Sequence, residues 1–230
     1  FSRGINSIPS SDANYTDNYK HIRRTNLLLQ NAEAYAKPED IKQYIGEAYF
    51  FRAYSYFDLL QLYGDVIITK KPLDITDPEM KVKRNDRSEV VDLIIDDLNH
   101  AVENLPAFKE LTTEEEGRIS KEGAQAFLSR VALYEGTWQK SRNGNQNTQR
   151  SANLLDIAAK AARTVIDAKY GYTFRLFGTD SETKILGDSA QKYMFILENE
   201  KSNPAGIKKS SNHEYIFARR HDQVLASIGK

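Results

Sequence analysis

The chain has 230 residues, with 32 Lys+Arg against 32 Asp+Glu, four histidines and no cysteine. That length allows a real core, burying roughly 70–75% of the surface of the unfolded chain. Balanced charge gives no support for nucleic acid or another polyanion as the main partner, and the lack of thiols removes disulfide scaffolds, zinc ribbons and thiol nucleophiles together.

Five helical segments are predicted. The first runs from about Asp17 to Tyr35, carries Ile22, Leu27, Leu28 and Leu29, and stops before Pro38. The second follows Pro38 and ends at Tyr63, where Gly64 supplies a C-terminal stop. Asp86 with Glu89 three residues on makes a capping box for the third. Its apolar residues Val91, Ile94, Leu98, Ala101 and Leu105 keep the spacing of one helix face, and Pro106 ends it. Ser120 caps the fourth, with Ala124, Phe127, Leu128, Val131 and Tyr134 inward. Ser151 opens the fifth, whose inward residues Leu154, Ala158, Ala161, Ala162, Val165 and Ile166 are mostly small. Alanine on that face lets a neighbouring helix approach closely.

Between the helices, residues 66–85 are broken by proline and read as an extended connection, and 140–150 as a solvated polar loop. From Gly171 the helical pattern weakens. Two short extended runs, Tyr193–Leu197 and Glu214–Ala218, are placed as a minor hairpin. No apolar run approaches the ~20 residues of a membrane-spanning helix. Phe1 is not a natural start, so the chain reads as a processed or trimmed piece.

The second helix is unusual. Tyr44, Tyr49, Phe51, Tyr56 and Phe57 with Ile45, Leu59 and Leu60 go round its whole circumference, the pattern of a helix enclosed by other helices. Arg52 lies in the middle of it, either paired inside the stack or snorkelling to its edge. Glu47 and Asp58 are the nearby carboxylates, and neither has the i±4 spacing, which leaves room for a partner on another helix. Helix pairs with small-residue seams suggest a tetratricopeptide-like, all-α stack.

No catalytic set stands out. His21, His100, His213 and His221 are scattered without metal-ligand spacing, and there is no nucleophile elbow, P-loop or dinucleotide fingerprint. Asp96–Asp97 and Glu114–Glu116 are adjacent carboxylates that point apart on a helix or face solvent. The sequence calls for no cofactor and no metal. Exposed aromatics are the better lead, because sugar rings stack on flat π-surfaces while amides reach the hydroxyls. Asn14 and Tyr15, in the polar stretch before the first helix, are the leading pair. Trp138, at a helix end, and Tyr172 and Phe174, after the fifth helix, are weaker candidates.

Glu47-Ala48, Phe51-Arg52-Ala53, Tyr56-Phe57, Leu60 and Tyr63-Gly64-Asp65-Val66 closely resemble the signature helix of the SusD/RagB family. Tyr19, Ile22, Asn26 and Leu28 resemble its preceding helix, and Asp97-Leu98, Ala101 and Leu105-Pro106 a later one. Gly117-Arg118-Ile119-Ser120-Lys121, Ala124, Ala126 and Arg130-Val131-Ala132-Leu133-Tyr134 resemble a fourth block, and the fifth helix and Asn212–Arg220 also fit. Ile67 departs from the family pattern, which has proline there.

The resemblance covers nearly the whole chain. It implies a single SusD-like domain, 1–230, that is the N-terminal helical part of a longer protein without its lipidated cysteine and its variable C-terminal part. It further implies a non-enzymatic lipoprotein on the extracellular face of the cell outer membrane. That protein captures oligosaccharide or polysaccharide and delivers it to a TonB-dependent transporter. The alternatives are a helical protein–protein adaptor and a peptide-capturing member of the family. The signature residues are scaffold residues, and none is carried over as a ligand contact.

Overall fold

The computed structural model of the protein describes residues 10–115, 117–142, 148–197, 199–209 and 212–218. His221, Glu116, Arg219, Arg220 and the centre of the 140–150 loop lie outside the described residues. The chain divides into two compact units, 1–105 and 106–230.

The first unit holds three long helices, α1 (Ala13–Glu33), α2 (Lys42–Tyr63) and α3 (Arg87–Asn104). Contacts run in opposite chain directions, Asp12 meeting Tyr63 while Asn26 meets Arg52, so neighbours are antiparallel. A 3₁₀ turn at Pro38–Ile41 joins α1 to α2. Gly64 then stops α2 with φ 73°, a value that favours glycine. The capping box of α3 forms as expected, Asp86 accepting from the Ser88 N–H at 2.8 Å while Glu89 accepts from the Asp86 N–H at 3.3 Å.

Helix α2 is the central member of this unit, packed against both α1 and α3. Ala53, Tyr56, Leu59 and Leu60 are fully enclosed, as are Val91, Ile94, Leu98 and Ala101 of α3. The expectation of a helix buried on every side is corrected: Tyr44, Phe51, Tyr54 and Leu62 are exposed on its remaining face. On α1 the apolar residues divide between the two sides of the helix. Leu27 and Leu28 point outward, and the buried positions are Ile22, Asn26, Leu29 and Ala32, an i, i+4, i+7, i+10 set that includes one amide.

In the second unit α4 (Lys121–Arg142) and α5 (Thr148–Ile166) lie antiparallel. Ser120 accepts from the Gly123 N–H at 3.2 Å, as a helix cap does. Ser151 is no cap: α5 begins three residues earlier, and the buried Ser151 hydroxyl donates to the Gly136 carbonyl of α4 at 2.8 Å. Ala158, Ala161 and Val165 of α5 are buried, whereas Ile166 is 70% exposed.

The expected hairpin near the C-terminus is not formed, and the described residues contain no strand, only an isolated antiparallel bridge between Val66 and Asn85. Tyr193 and Met194 close the short helix α6 (Ala190–Met194), and Leu197 is buried with Phe177, Leu186 and Ala190. The other half of the expected hairpin joins 172–177 instead. The Arg175 N–H donates to the His213 carbonyl at 3.1 Å and the Phe177 N–H to the Glu214 carboxylate at 2.8 Å. A five-residue apolar run has no decisive periodicity, and here one helical turn satisfies its backbone locally.

Candidate functional site

Asn14 and Tyr15 do not precede α1; they form its first turn. Asp12 is the N-cap, accepting from the Asn14 N–H at 2.9 Å and the Tyr15 N–H at 3.4 Å. Its second oxygen accepts from the Tyr63 hydroxyl at 2.5 Å, which ties the start of α1 to the end of α2. The Tyr63 hydroxyl holds the Asp12 carboxyl below the usual range, and Asp12 in turn pushes the Tyr63 phenol up to about 12. The half-buried ring of Tyr15 sits between two others, 4.8 Å from Tyr19 and edge-on to Tyr63 at 5.2 Å. Asn14 is exposed beside it, with its carbonyl accepting from the Asn18 amide at 2.9 Å.

Opposite this face of α1 runs the extended segment 66–73. Alternate residues of an extended chain share a side, and the carbonyls at 67, 69, 71 and 73 are all taken by side chains of α1. Tyr19 donates to Ile67 at 2.7 Å. The Asn26 amide donates to Thr69 at 2.9 Å and to Lys71 at 3.3 Å, and Arg23 donates to Leu73. From α2, the Tyr56 hydroxyl accepts from the Thr69 N–H at 2.7 Å. The segment is therefore fastened along its length although no helix or sheet contains it.

Behind the segment lies the buried arginine. Arg52 makes a bidentate pair with Asp97 of α3 at 2.8 and 2.6 Å, and its third contact is to the Asn26 oxygen at 2.8 Å. Arg52 and Asp97 are 5% and 0% exposed, so the pair is internal and its partner comes from another helix. Burial pushes the Asp97 carboxyl up and Arg52 pulls it back.

Between α1 and the segment is a groove of about 500 Å³, walled by Tyr15, Thr16, Tyr19, Lys20 and Arg23 on one side and by Ile67, Thr69, Lys71, Leu73 and Glu79 on the other. Its volume falls within the ~300–1,000 Å³ of small-ligand sites. A more apolar depression of about 430 Å³ includes Leu27, Leu28, Tyr35 and Tyr44.

The weaker aromatic candidates are engaged elsewhere. Trp138 stacks with Tyr134 at 6.3 Å and carries the Arg142 guanidinium at 4.8 Å. Tyr172 and Phe174 pack with Phe108 at 4.6 and 5.2 Å, and the Tyr172 hydroxyl lies 2.8 Å from His213 Nδ1. His100 stacks on Tyr49 at 4.9 Å between Asp96 and Glu103. Among the described residues no group of three or more His, Cys, Asp or Glu could hold a metal ion. The groove itself was not legible in the sequence, because its outer wall is a loop; Asn26 on the inward face of α1 was the available signal.

Long antiparallel helices, a central arginine paired across them and a side-chain-fastened extended segment define a tetratricopeptide-like helical scaffold. Residues 6–133 match the SusD-like family model described as "Starch-binding associating with outer membrane". The chain belongs to the SusD-like family, as the signature blocks implied. SusD-like protein P38 of Formosa agariphila is 33% identical over 133 residues, which cover 56% of this chain and 25% of that protein.

A SusD-like protein from Bacteroides fragilis shares the fold with a TM-score of 0.65 at 24% identity, covering 91% of this chain and 33% of that one. A laminarin-binding SusD-like protein matches with a TM-score of 0.58 at 28% identity, over 74% of this chain and 34% of that one. The chain thus spans a quarter to a third of the length of these relatives. The family description names binding and membrane association and no catalysis. No helix among the described residues is long and apolar enough to cross a membrane.

Proposed function

We propose that this chain belongs to a glycan-capturing protein on the extracellular face of the outer membrane, lipid-anchored, which delivers oligosaccharide to a TonB-dependent transporter. The observation that carries the reading is the family match over residues 6–133, and the laminarin-binding neighbour supports it. In this reading residues 1–230 act as one SusD-like domain, and the protein binds without hydrolysing. Sugar contacts within the chain come from Tyr15, whose ring gives a C–H stacking face, and from the neighbouring Asn14 amide.

Affinity electrophoresis through gels containing neutral polysaccharides tests the binding, with reducing-end release followed on the same samples. Retarded migration without release is expected. Migration unaffected by every polysaccharide, or reducing ends whose appearance depends on one Asp or Glu of this chain, overturns the reading. Co-purification with a TonB-dependent transporter from solubilised outer membranes tests delivery. A peptide-capturing or adaptor role is the outcome if peptide or protein, and no glycan, is retained.

A further inference from the structure

Resting on the glycan reading of the α1 groove, we infer that this groove takes an uncharged saccharide and neither an acidic glycan nor an extended peptide. Two independent features carry this. The first is electrostatic. The cations on the walls are Lys20, Arg23 and Lys71, and each has a carboxylate beside it. Lys20 is 2.8 Å from Asp17, Lys71 is 2.7 Å from Glu79, and Arg23 is 4.0 Å from Asp74. Pairing with Glu79 on the wall and with Asp17 and Asp74 beside it weakens the field with which these cations would gather a polyanion. What the rim offers is alternating donors and acceptors, which suit hydroxyl groups.

The second feature concerns the backbone. A peptide captured by strand addition needs a row of free main-chain groups on the receiving edge. On the side of segment 66–73 that faces α1, the carbonyls at 67, 69, 71 and 73 already accept from Tyr19, Asn26 and Arg23. A peptide's N–H groups find no unoccupied acceptor along that edge. The groove therefore presents no free carbonyl on that edge, and its recognition groups are side chains: an aromatic face at Tyr15, hydroxyls at Thr16 and Thr69, and the Lys71–Glu79 pair.

The test is an amide and side-chain NMR titration of the whole chain with three kinds of probe. These are neutral hexasaccharides (β-1,3-, β-1,4- and α-1,4-linked glucose, and β-1,4-linked mannose), hexagalacturonate, and the strand-forming peptide (Val-Thr)₃. At least one neutral hexasaccharide is expected to shift Tyr15, Tyr19 and Thr69, with an affinity that changes less than about twofold between 50 and 500 mM salt. Tyr15→Ala is expected to weaken it about tenfold, with a fall in melting temperature of no more than a few degrees from the two lost ring contacts. Stronger shifts from hexagalacturonate or the peptide would overturn the inference while leaving the groove a binding site. Groove resonances unmoved by every probe overturn the glycan reading of the groove, and this inference with it.

Discussion

Replacing Arg52 by leucine removes one partner of a buried pair and leaves the other behind. Asp97 is 0% exposed, and its two oxygens accept from Arg52 Nε and Nη2. Without the guanidinium the carboxylate keeps the full cost of burial, and the Asn26 oxygen loses its donor as well. Breaking such a pair costs about 3–5 kcal/mol. At roughly 2–4 °C per kcal/mol for a chain of this size, the melting temperature falls by about 6–20 °C. Urea denaturation combined with hydrogen exchange of the α1–α3 amides reads this in the first unit.

The pH dependence gives a second, stricter check. Burial holds the folded Asp97 value above the unfolded one near 3.9, and Arg52 limits that rise. A raised carboxyl lowers stability as pH climbs through and beyond the unfolded value. Removing Arg52 enlarges the rise, so the deficit of Arg52→Leu should be greater at pH 7.5 than at pH 4. Replacing Asp97 by leucine in the same chain should recover most of the loss, because an apolar pair of similar volume is often neutral. An Arg52→Leu protein within about 1 kcal/mol of the parent at pH 7.5 would refute the reasoning. So would a deficit that grows on acidification.

Gly46→Ala is expected to destabilise, since its Cβ would meet Leu105 Cγ at 2.9 Å and the Leu105 backbone nitrogen at 3.0 Å. Overpacking of about 1–3 kcal/mol outweighs a helix-propensity gain of about 1 kcal/mol, and a raised urea midpoint would contradict it. Asp86→Ala should cost about 1 kcal/mol through loss of the α3 capping box, measured by the same denaturation, and an unchanged midpoint would count against the cap. Tyr63→Phe should move the Asp12 titration up toward the ordinary carboxylate range in carboxyl ¹³C NMR, because the Tyr63 hydroxyl is the main cause of its lowered value. The Asp12 carboxylate's contribution to stability is present above that range and lost as pH falls through the folded value. In the parent, the raised Tyr63 phenol makes stability fall as pH rises from the unfolded value near 10 toward about 12. An unmoved Asp12 in the phenylalanine variant would show that the contact is not made.

The helices were legible where one physical signal dominated. Val91, Ile94, Leu98 and Ala101 repeat at helical spacing and are all fully buried, and Asp86 with Glu89 announced the start of α3. Where two signals competed, the sequence misled. Leu27, Leu28 and Leu29 are contiguous, yet only Leu29 is buried, because a single helix face cannot take three successive residues. Asn26 is buried in their place. Hydropathy ranks it as a surface residue, and its reason for being inside is a hydrogen-bonding role visible only when α2 and segment 66–73 are in position. Asn14 and Tyr15 were read as loop residues for a related reason. The cap of α1 is completed by Tyr63, about fifty positions away, and no local pattern contains that contact.

The same geometry answers why an arginine sits among the rings of α2. Asn26 has one amide with two ends, and the orientation of that amide decides what it can hold. Arg52 can only donate, and its Nη1 lies 2.8 Å from the Asn26 oxygen, so the nitrogen end must face the other way. There it meets the carbonyls of Thr69 and Lys71. Arg52 is oriented in turn by a bidentate carboxylate that fixes its plane as well as its charge. A chain of directional bonds thus runs from Asp97 on α3, through α2 and α1, to the wall of the groove. An apolar replacement of the pair could keep the helices packed, but it would leave the buried Asn26 oxygen without its donor while the Thr69 and Lys71 carbonyls still hold the nitrogen end. The arginine thereby completes the hydrogen bonding of the amide that, together with Tyr19, Arg23 and Tyr56, fastens a segment no helix or sheet holds.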